Sequence, residues 1–359
     1  MILSSSLSSL VIETDKDIVK VTLNNEMGES LFSEEYYVYD GKVNVFDIGS
    51  IIESDIKMKG ECIASYTIAV EWFNRSIVTG SPSDPLNYQS DSVFFKAFFC
   101  EASLPGIPDL AGWITKKFIT TVDSRRIPPE FSFQVYFFSD KKETDSYEVN
   151  CMYRIKDSDE VNKFVTHGYP AKFSDNLFYI DLSDKIIFQW FLTAKLPIDN
   201  LQIISFSVEC GDRYLSFHVD QSLTNGQTFF FRNIFNAWDF VTFPAQTSEK
   251  TDVERSLANI GPESVFYDKT VSKTYEVQSG PVNRDEVDLI SQLIASHEVL
   301  RICNDVSFSV LITDSDCSLN DGQELQSVKF NWRYADNRPP FMLSDRTRIF
   351  TKEYNKVFS

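Results

Sequence analysis

The chain has 359 residues, with 34 Lys and Arg against 52 Asp and Glu. A chain of this size buries roughly three quarters of its unfolded surface, so it needs no disulfide or metal staple. With 43% hydrophobic and 24% charged residues it is globular rather than intrinsically disordered. A net charge of −18 argues against tight phosphate-driven binding of duplex DNA and against an anionic membrane surface.

The 31 Phe, 15 Tyr and 5 Trp, beside only 5 Met, lean the composition towards strands. Period-2 alternation follows along the chain. Val19, Val21 and Leu23 alternate with Lys20 and Thr22. Tyr36 to Tyr39 and Val43 to Val45 flank Asp40-Gly41, which predicts a tight type I′ hairpin. A short helix starts at Asp47, with Ile48, Ile51 and Ile52 on its apolar side. Tyr66, Ile68, Val70 and Trp72 read as a strand face. So do Phe131, Phe133, Val135 and Phe137, and then Tyr147, Val149, Cys151 and Tyr153.

A further helix is predicted over 158–165, with Asp157, Asp159 and Glu160 at its start, where acids favour the helix dipole. Strands follow at 203–208 and 214–219. The strongest helix signal covers 284–296, with Asn283 as cap and Glu286 in capping-box position. The last strands are 306–312 and 328–334, and Asn320-Asp321-Gly322 is a turn before the second of them. The predicted class is mainly β (α+β): antiparallel β-sandwich or barrel domains with one flanking helix each. Loop-like stretches divide the chain near 103 and 243, into 1–103, 104–243 and 244–359. The first and last parts share a β-β-α-β-β outline without residue identity, so a duplication is one reading of the pattern.

The six cysteines are dispersed with no Cys-x-x-Cys pair, which reads as reduced core thiols. No basic residue precedes Lys16 and no apolar run has secretory or membrane-spanning length. The expectation is a protein folded in a reducing cytoplasm, with no membrane partner.

Catalytic signatures are missing from the sequence. There is no Gly-x-Ser-x-Gly elbow and no phosphate-binding Gly-rich loop. His297-Glu298 opens like a zinc-protease helix, but Arg301 stands where the second His is required. The bland reading is a helix-terminal His favoured by the C-terminal dipole. Asp314-Ser315-Asp316 opens like a calcium loop, but Leu319 and Leu325 stand where Gly and Glu are required. No catalytic residue, metal or cofactor is therefore predicted. The basic pairs Lys116-Lys117, Arg125-Arg126 and Lys141-Lys142 are too dispersed for a nucleic-acid footprint. The run Phe229-Phe230-Phe231, continuing to Phe235, Trp238, Phe240 and Phe243, is denser than one strand face can bury. It reads as a core strand, as an oligomer interface through Phe229, Phe230, Phe231, Trp238 and Phe240, or as an aromatic platform for sugars.

Two stretches resemble a family of proteins encoded beside tail genes in phages and prophages of Bacteroidota. The first is Phe32 to Tyr39 with Gly41-Lys42-Val43, Asp47-Ile48 and Ile51-Ile52-Glu53. The second is Phe266-Tyr267-Asp268, Thr274 to Val277, Ser279-Gly280-Pro281, Ile312-Thr313-Asp314 and Lys329 to Trp332. The middle third is poorly matched. The resemblance implies a virion structural protein of the tail, similar to tail-hub, distal-tail or baseplate proteins. Such a protein is made in the host cytoplasm and carried in the virion. It assembles with itself into a trimeric or hexameric ring and docks other tail proteins. DNA would meet it only in passage, and the acidity would keep the lumen from holding phosphates. The alternative expectation is a β-protein that binds carbohydrate or a host receptor, and a third is a glycosidase-like enzyme.

Overall fold

A computed structural model of the chain describes residues 2–3, 7, 9–74, 86–101, 110–139, 146–155, 160–174, 176–196, 198–245, 247–260, 263–303, 306–316 and 325–336. It is mainly β, with 60% of the described residues in strands against 16% in helices, as the aromatic content predicts. The sheets are largely antiparallel, and four α-helices accompany them among the described residues.

The N-terminal unit holds β1 (Ile2–Leu3), β2 (Ser9–Glu13), β3 (Ile18–Asn25), β4 (Ser30–Tyr37), β5 (Lys42–Phe46), α1 (Ile48–Lys59), β6 (Ile63–Asn74) and β7 (Leu86–Phe98). Five strands form one sheet in the order β1-β7-β6-β3-β4, and β2 pairs with β5 alone. Ile48, Ile52 and Ile56 recur every four residues and bury one stripe of α1 against Val19, Val21 and Leu23. Gly60 ends the helix at φ 66°, a left-handed cap. The predicted turn exists: Asp40 and Gly41 both have positive φ, and Tyr39 and Lys42 exchange backbone hydrogen bonds. The flanking strands then part, which corrects the simple hairpin. β4 runs with β3 and β5 with β2. Val43 and Val45 have a core under α1 to reach, while Tyr37 and Tyr39 stay in water.

The middle unit holds α2 (Leu110–Ile114), β8 (Ser124–Ile127), β9 (Ser132–Phe138), β10 (Tyr147–Ile155), β11 (Val161–Gly168), β12 (Ala171–Ser174), β13 (Leu177–Ser183), α3 (Asp184–Thr193), β14 (Leu201–Cys210) and β15 (Arg213–Val219). The sheet β11-β10-β14-β15-β8 and the sheet β12-β13-β9 share one core, in which Phe133 meets Phe217 at 4.9 Å and Phe206 meets Phe217 at 4.8 Å between ring centroids. Residues 161–168 are a strand and not the predicted helix. They pair with β10 along its whole length, Phe164 opposite Cys151. Val161, Val165 and Thr166 are β-branched and suit a pleated surface better than a helix. Glu160 lies just outside the strand, and Asp157 and Asp159 lie outside the described residues. α3 was not anticipated. Ser183 caps it by accepting a hydrogen bond from the Ile186 N–H at 3.1 Å, and Ile187 and Phe191 bury its apolar side.

The C-terminal unit holds β16 (Gln227–Arg232), β17 (Trp238–Phe243), β18 (Thr247–Ile260), β19 (Glu263–Gln278), α4 (Arg284–Ala295), β20 (Val299–Cys303), β21 (Val306–Asp316) and β22 (Lys329–Tyr334). They form one sheet in the order β17-β16-β20-β21-β22-β19-β18. The capping box is present: the Glu286 N–H donates to Asn283 Oδ1 at 2.8 Å and the Asn283 N–H donates to Glu286 Oε2 at 3.2 Å. The sheet runs across residue 243, because β16 pairs with β20. The boundary near 103 and the turn at Asn320-Asp321-Gly322 fall outside the described residues. The β-β-α-β-β outline recurs at both ends, but the strand orders differ. β3 sits beside the first strand after its helix, and β19 beside the third.

The connection from β16 to β17 joins the units. Asn233 Oδ1 accepts from the backbone N–H of Phe235 at 3.0 Å and of Ala237 at 3.1 Å, which tightens the loop. Phe235 then meets Phe98 of the N-terminal unit at 5.5 Å and Trp113 at 5.6 Å. Next to this loop, Arg125 of β8 and Asp239 of β17 form a buried ion pair, each 5% exposed. Thr120 Oγ1 accepts from Arg125 Nη2 at 2.6 Å and donates to Asp239 Oδ2 at 2.9 Å. Asn233 Nδ2 donates to the same Oδ2 at 3.4 Å and to the Ile119 carbonyl at 3.0 Å. Arg126 makes a second clamp, donating to Glu286 Oε1 at 2.7 Å and to Asp220 Oδ2 at 3.1 Å.

Asp239→Ala strips Arg125 of its buried counter-charge, and the expected loss is about 3–5 kcal/mol, read from the urea midpoint. Replacing both residues by apolar ones of similar size is expected to cost less than Asp239→Ala alone. At Asp220, burial works against ionisation, but hydrogen bonds from Ser222 and the charge and hydrogen bond of Arg126 hold the carboxyl below its ordinary value. Its folded value is below its unfolded one. Its stabilisation is therefore complete above the unfolded value, near pH 4, and is lost as pH falls through the folded one. Asp220→Asn should flatten the fall of melting temperature with acidification below about pH 4.

Candidate functional site

The aromatic run that the sequence singles out is divided among the units. Phe229 and Phe231 lie in the core of the C-terminal sheet, where Phe229 meets Phe243, Phe330 and Trp332 edge-on. Phe240 lies in the sandwich core and stacks on Phe133 at 4.3 Å. These three are buried within the chain itself, so they offer no surface to a second subunit, which corrects the interface reading for them. Phe230 and Trp238 are half-buried. Strand alternation explains the split: Phe229 and Phe231 face α4, and Phe230 faces the other way.

Phe230 and Trp238 line a cleft of about 460 Å³ between the middle and C-terminal units. Its apolar side also includes Leu300 and Ile302 of β20. Arg232 holds its guanidinium 4.1 Å from the Trp238 ring centroid. The other side carries polar groups of β9 and β13. Tyr136 donates its hydroxyl proton to Gln134 Oε1, and Gln134 Nε2 donates to Asp181 Oδ1 at 2.8 Å. Burial pushes the Tyr136 phenol up to about 12, so it stays protonated and remains a donor. Gln134 and Asp181 are exposed at the mouth. Among the described residues that line the cleft there is no Lys, Arg or His.

A second feature is the β18–β19 ribbon. β19 touches β22 only at Tyr275–Gln278, and β18 is the sheet edge. Beyond that base the two strands pair, among the described residues, only with each other, from Thr251 opposite Lys273 to Ile260 opposite Glu263. At about 3.3 Å per residue this free part projects roughly 30 Å. Val253 stands opposite Val271 and Leu257 opposite Phe266, and all four belong to one face. They are 44%, 39%, 60% and 58% exposed. Arg255 shares that face, 5.2 Å from the Phe266 ring, while Asp252, Glu254 and Ser272 point the other way.

The motif-like stretches resolve into structural parts. Val299–Cys303 is a strand, so His297 and Arg301 do not share a helix face. Glu298 pairs with Arg232, and Arg301 donates to the Tyr334 hydroxyl at 2.6 Å. His297 follows the end of α4. Burial and the charge of Lys57 lower its pKa, opposite to the rise that a helix C-terminus would give. Asp314 to Asp316 belong to β21, and 317–324 lie outside the described residues. Among the described residues no three His, Cys, Asp or Glu side chains converge as a metal site. No described helix is long and apolar enough to cross a membrane. Three of the four described residues of the basic pairs form ion pairs: Lys117 with Asp123, Arg125 with Asp239, and Arg126 with Asp220 and Glu286. Lys141-Lys142 lie outside the described residues. The role of Arg125-Arg126 as a joint between units has no signal in the sequence, because the partners are 114 and 160 residues away.

No family model matches this chain, and no curated protein matches it.

Cys62, Cys100, Cys151 and Cys210 are buried, and Cys303 is half-buried. Burial pushes the thiols of Cys62 and Cys151 up to about 12, so neither is a thiolate at neutral pH. Both are expected to stay unlabelled by a thiol reagent at pH 8 until denaturant is added, with labelling sites assigned by peptide mass spectrometry.

Proposed function

We propose that this chain is a non-enzymatic structural protein of a phage tail, in a hub, distal-tail or baseplate ring. It acts by self-assembly and by docking neighbouring tail proteins. The observation that carries this reading is the β18–β19 ribbon. A two-stranded ribbon alone is marginally stable in water. This one leaves Val253, Leu257, Phe266 and Val271 uncovered on one face and β18 unpaired along its edge. Single-chain proteins guard such edges, because they invite pairing with another chain. An arm of this kind gains its cover from a neighbouring subunit in an assembly.

The resemblance of the two terminal segments to the phage-tail family supports the same reading, and the ribbon contains part of the second segment. The net charge of −18 suits a ring through which duplex DNA passes without being held. In this reading the protein is made in the host cytoplasm and carried in the virion, with DNA as a passing neighbour.

Sedimentation or light scattering of the purified chain should give a closed trimer or hexamer, and electron micrographs of the particle should place it on the tail axis. Replacing Thr251–Lys273 by a two-residue turn, or changing Leu257 and Phe266 together to Lys, should leave a folded monomer. A full chain that stays monomeric at tens of micromolar and occupies a peripheral fibre on the particle would sink the proposal.

A further inference from the structure

We infer that the cleft between the middle and C-terminal units is a binding site for a neutral saccharide of one to three pyranose units. The inference is independent of the assembly reading, since the cleft and the ribbon are separate parts of the molecule.

The size suits such a ligand. Small-molecule sites enclose roughly 300–1,000 Å³ and combine apolar walls with a few placed polar groups. This cleft measures about 460 Å³. Its two sides differ in chemistry. Trp238, Phe230 and Ile302 form the apolar side, and partly buried rings of this kind offer flat carbon surface. Opposite stands the row Tyr136, Gln134 and Asp181, already linked by hydrogen bonds. Those two bonds leave capacity unused. Gln134 keeps its second amide N–H, and Asp181 keeps its second carboxylate oxygen. A planar amide beside a planar carboxylate presents a donor and an acceptor side by side.

A pyranose matches this arrangement. Its ring faces expose axial C–H groups that stack on an aromatic surface. Its rim carries vicinal hydroxyls, each a donor and an acceptor, which suit the Gln134–Asp181 pair. Other ligand classes fit worse. A phosphorylated, sulfated or carboxylated ligand finds no cation among the described lining residues, and Asp181 repels it. The nearby Arg125 and Arg232 are committed to Asp239 and Glu298. A purely apolar ligand would bury the polar row without replacing its water, which costs the desolvation of each unpaired group. Arg232, the cross-strand neighbour of Trp238 and itself paired with Glu298, lies 4.1 Å from the indole centroid, so one face of the ring is held before any ligand arrives.

The sequence anticipated the aromatics of this site and not its polar side. Gln134 and Asp181 come from strands β9 and β13, where they face each other in register.

The test uses the intact chain and a panel of neutral di- and trisaccharides of hexoses and N-acetylhexosamines, with sialylated and sulfated sugars as the charged arm. Binding is read by saturation-transfer NMR and by intrinsic tryptophan fluorescence. At least one neutral sugar should bind saturably. Trp238→Ala and Gln134→Ala should each weaken that binding by about tenfold or more, the scale of one lost contact of this kind. Gln134 and Ile302 are exposed, so Gln134→Ala and the blocking variant Ile302→Arg should melt within a few degrees of the parent chain. Ile302→Arg should abolish binding. No saturable binding to any neutral sugar at millimolar concentration overturns the assignment. So does binding that Gln134→Ala and Ile302→Arg leave intact, or tighter binding of the charged sugars. A change of oligomeric state in Ile302→Arg with no sugar bound by the parent also overturns it, and assigns the cleft to a second copy of the chain.

Discussion

The carboxylate of Asp239 is the point on which the tertiary arrangement turns. It sits at the start of β17, buried, and takes hydrogen bonds from Arg125, Thr120 and Asn233. Each partner belongs to a different segment: the strand that edges the sandwich, the loop before it, and the loop between β16 and β17. A charge taken out of water must be matched by a partner and by hydrogen bonds, or the fold loses several kcal/mol. The match made here brings the middle unit against the C-terminal sheet. The guanidinium also lies 5.1 Å from the Phe240 ring, so the ion pair and the aromatic core are one structure.

The cleft is a consequence of that joint. Once β17 is held beside β9, Phe240 closes the interior, and Phe230 and Trp238 are left lining the space between the units. Rigid packing behind Trp238 and the shared register of β9 and β13 then set the distance between an aromatic wall and a polar one. The ribbon has a different origin. β18 and β19 outrun the sheet that anchors them, and their alternation leaves Val253, Leu257, Phe266 and Val271 exposed on one face. One molecule thus carries an open cleft between two units and a projecting ribbon with an exposed apolar face.

Several elements could be read directly from residues. α4 announces itself through Asn283 and Glu286 and the spacing of Val287, Ile290 and Leu293. α1 does so through Ile48, Ile52 and Ile56. The strand faces at Val19, Tyr66, Val149 and Phe206 appear as alternation because each has one wet and one dry side. α3 had the same kind of signal, Ser183 followed by Ile187 and Phe191, but it was hidden inside an aromatic stretch that also suits strands. Residues 160–168 misled in the opposite sense. Acids before a mixed polar run resemble a helix start, while pairing with β10 decides for a strand.

What the sequence by itself determined was the class: mainly β, acidic, with a few capped helices, because local propensity and alternation act over a few residues. It also marked 229–243 as a place where more aromatic surface exists than one strand face can hide. Only the tertiary structure decided where that surface goes. Phe229 and Phe231 enter one core, Phe240 another, Phe235 the junction, and Phe230 with Trp238 the cleft. The reason is physical. Burial depends on which segments meet across more than a hundred residues, and the ion pair that selects those segments, Arg125 with Asp239, leaves no periodic trace in the chain.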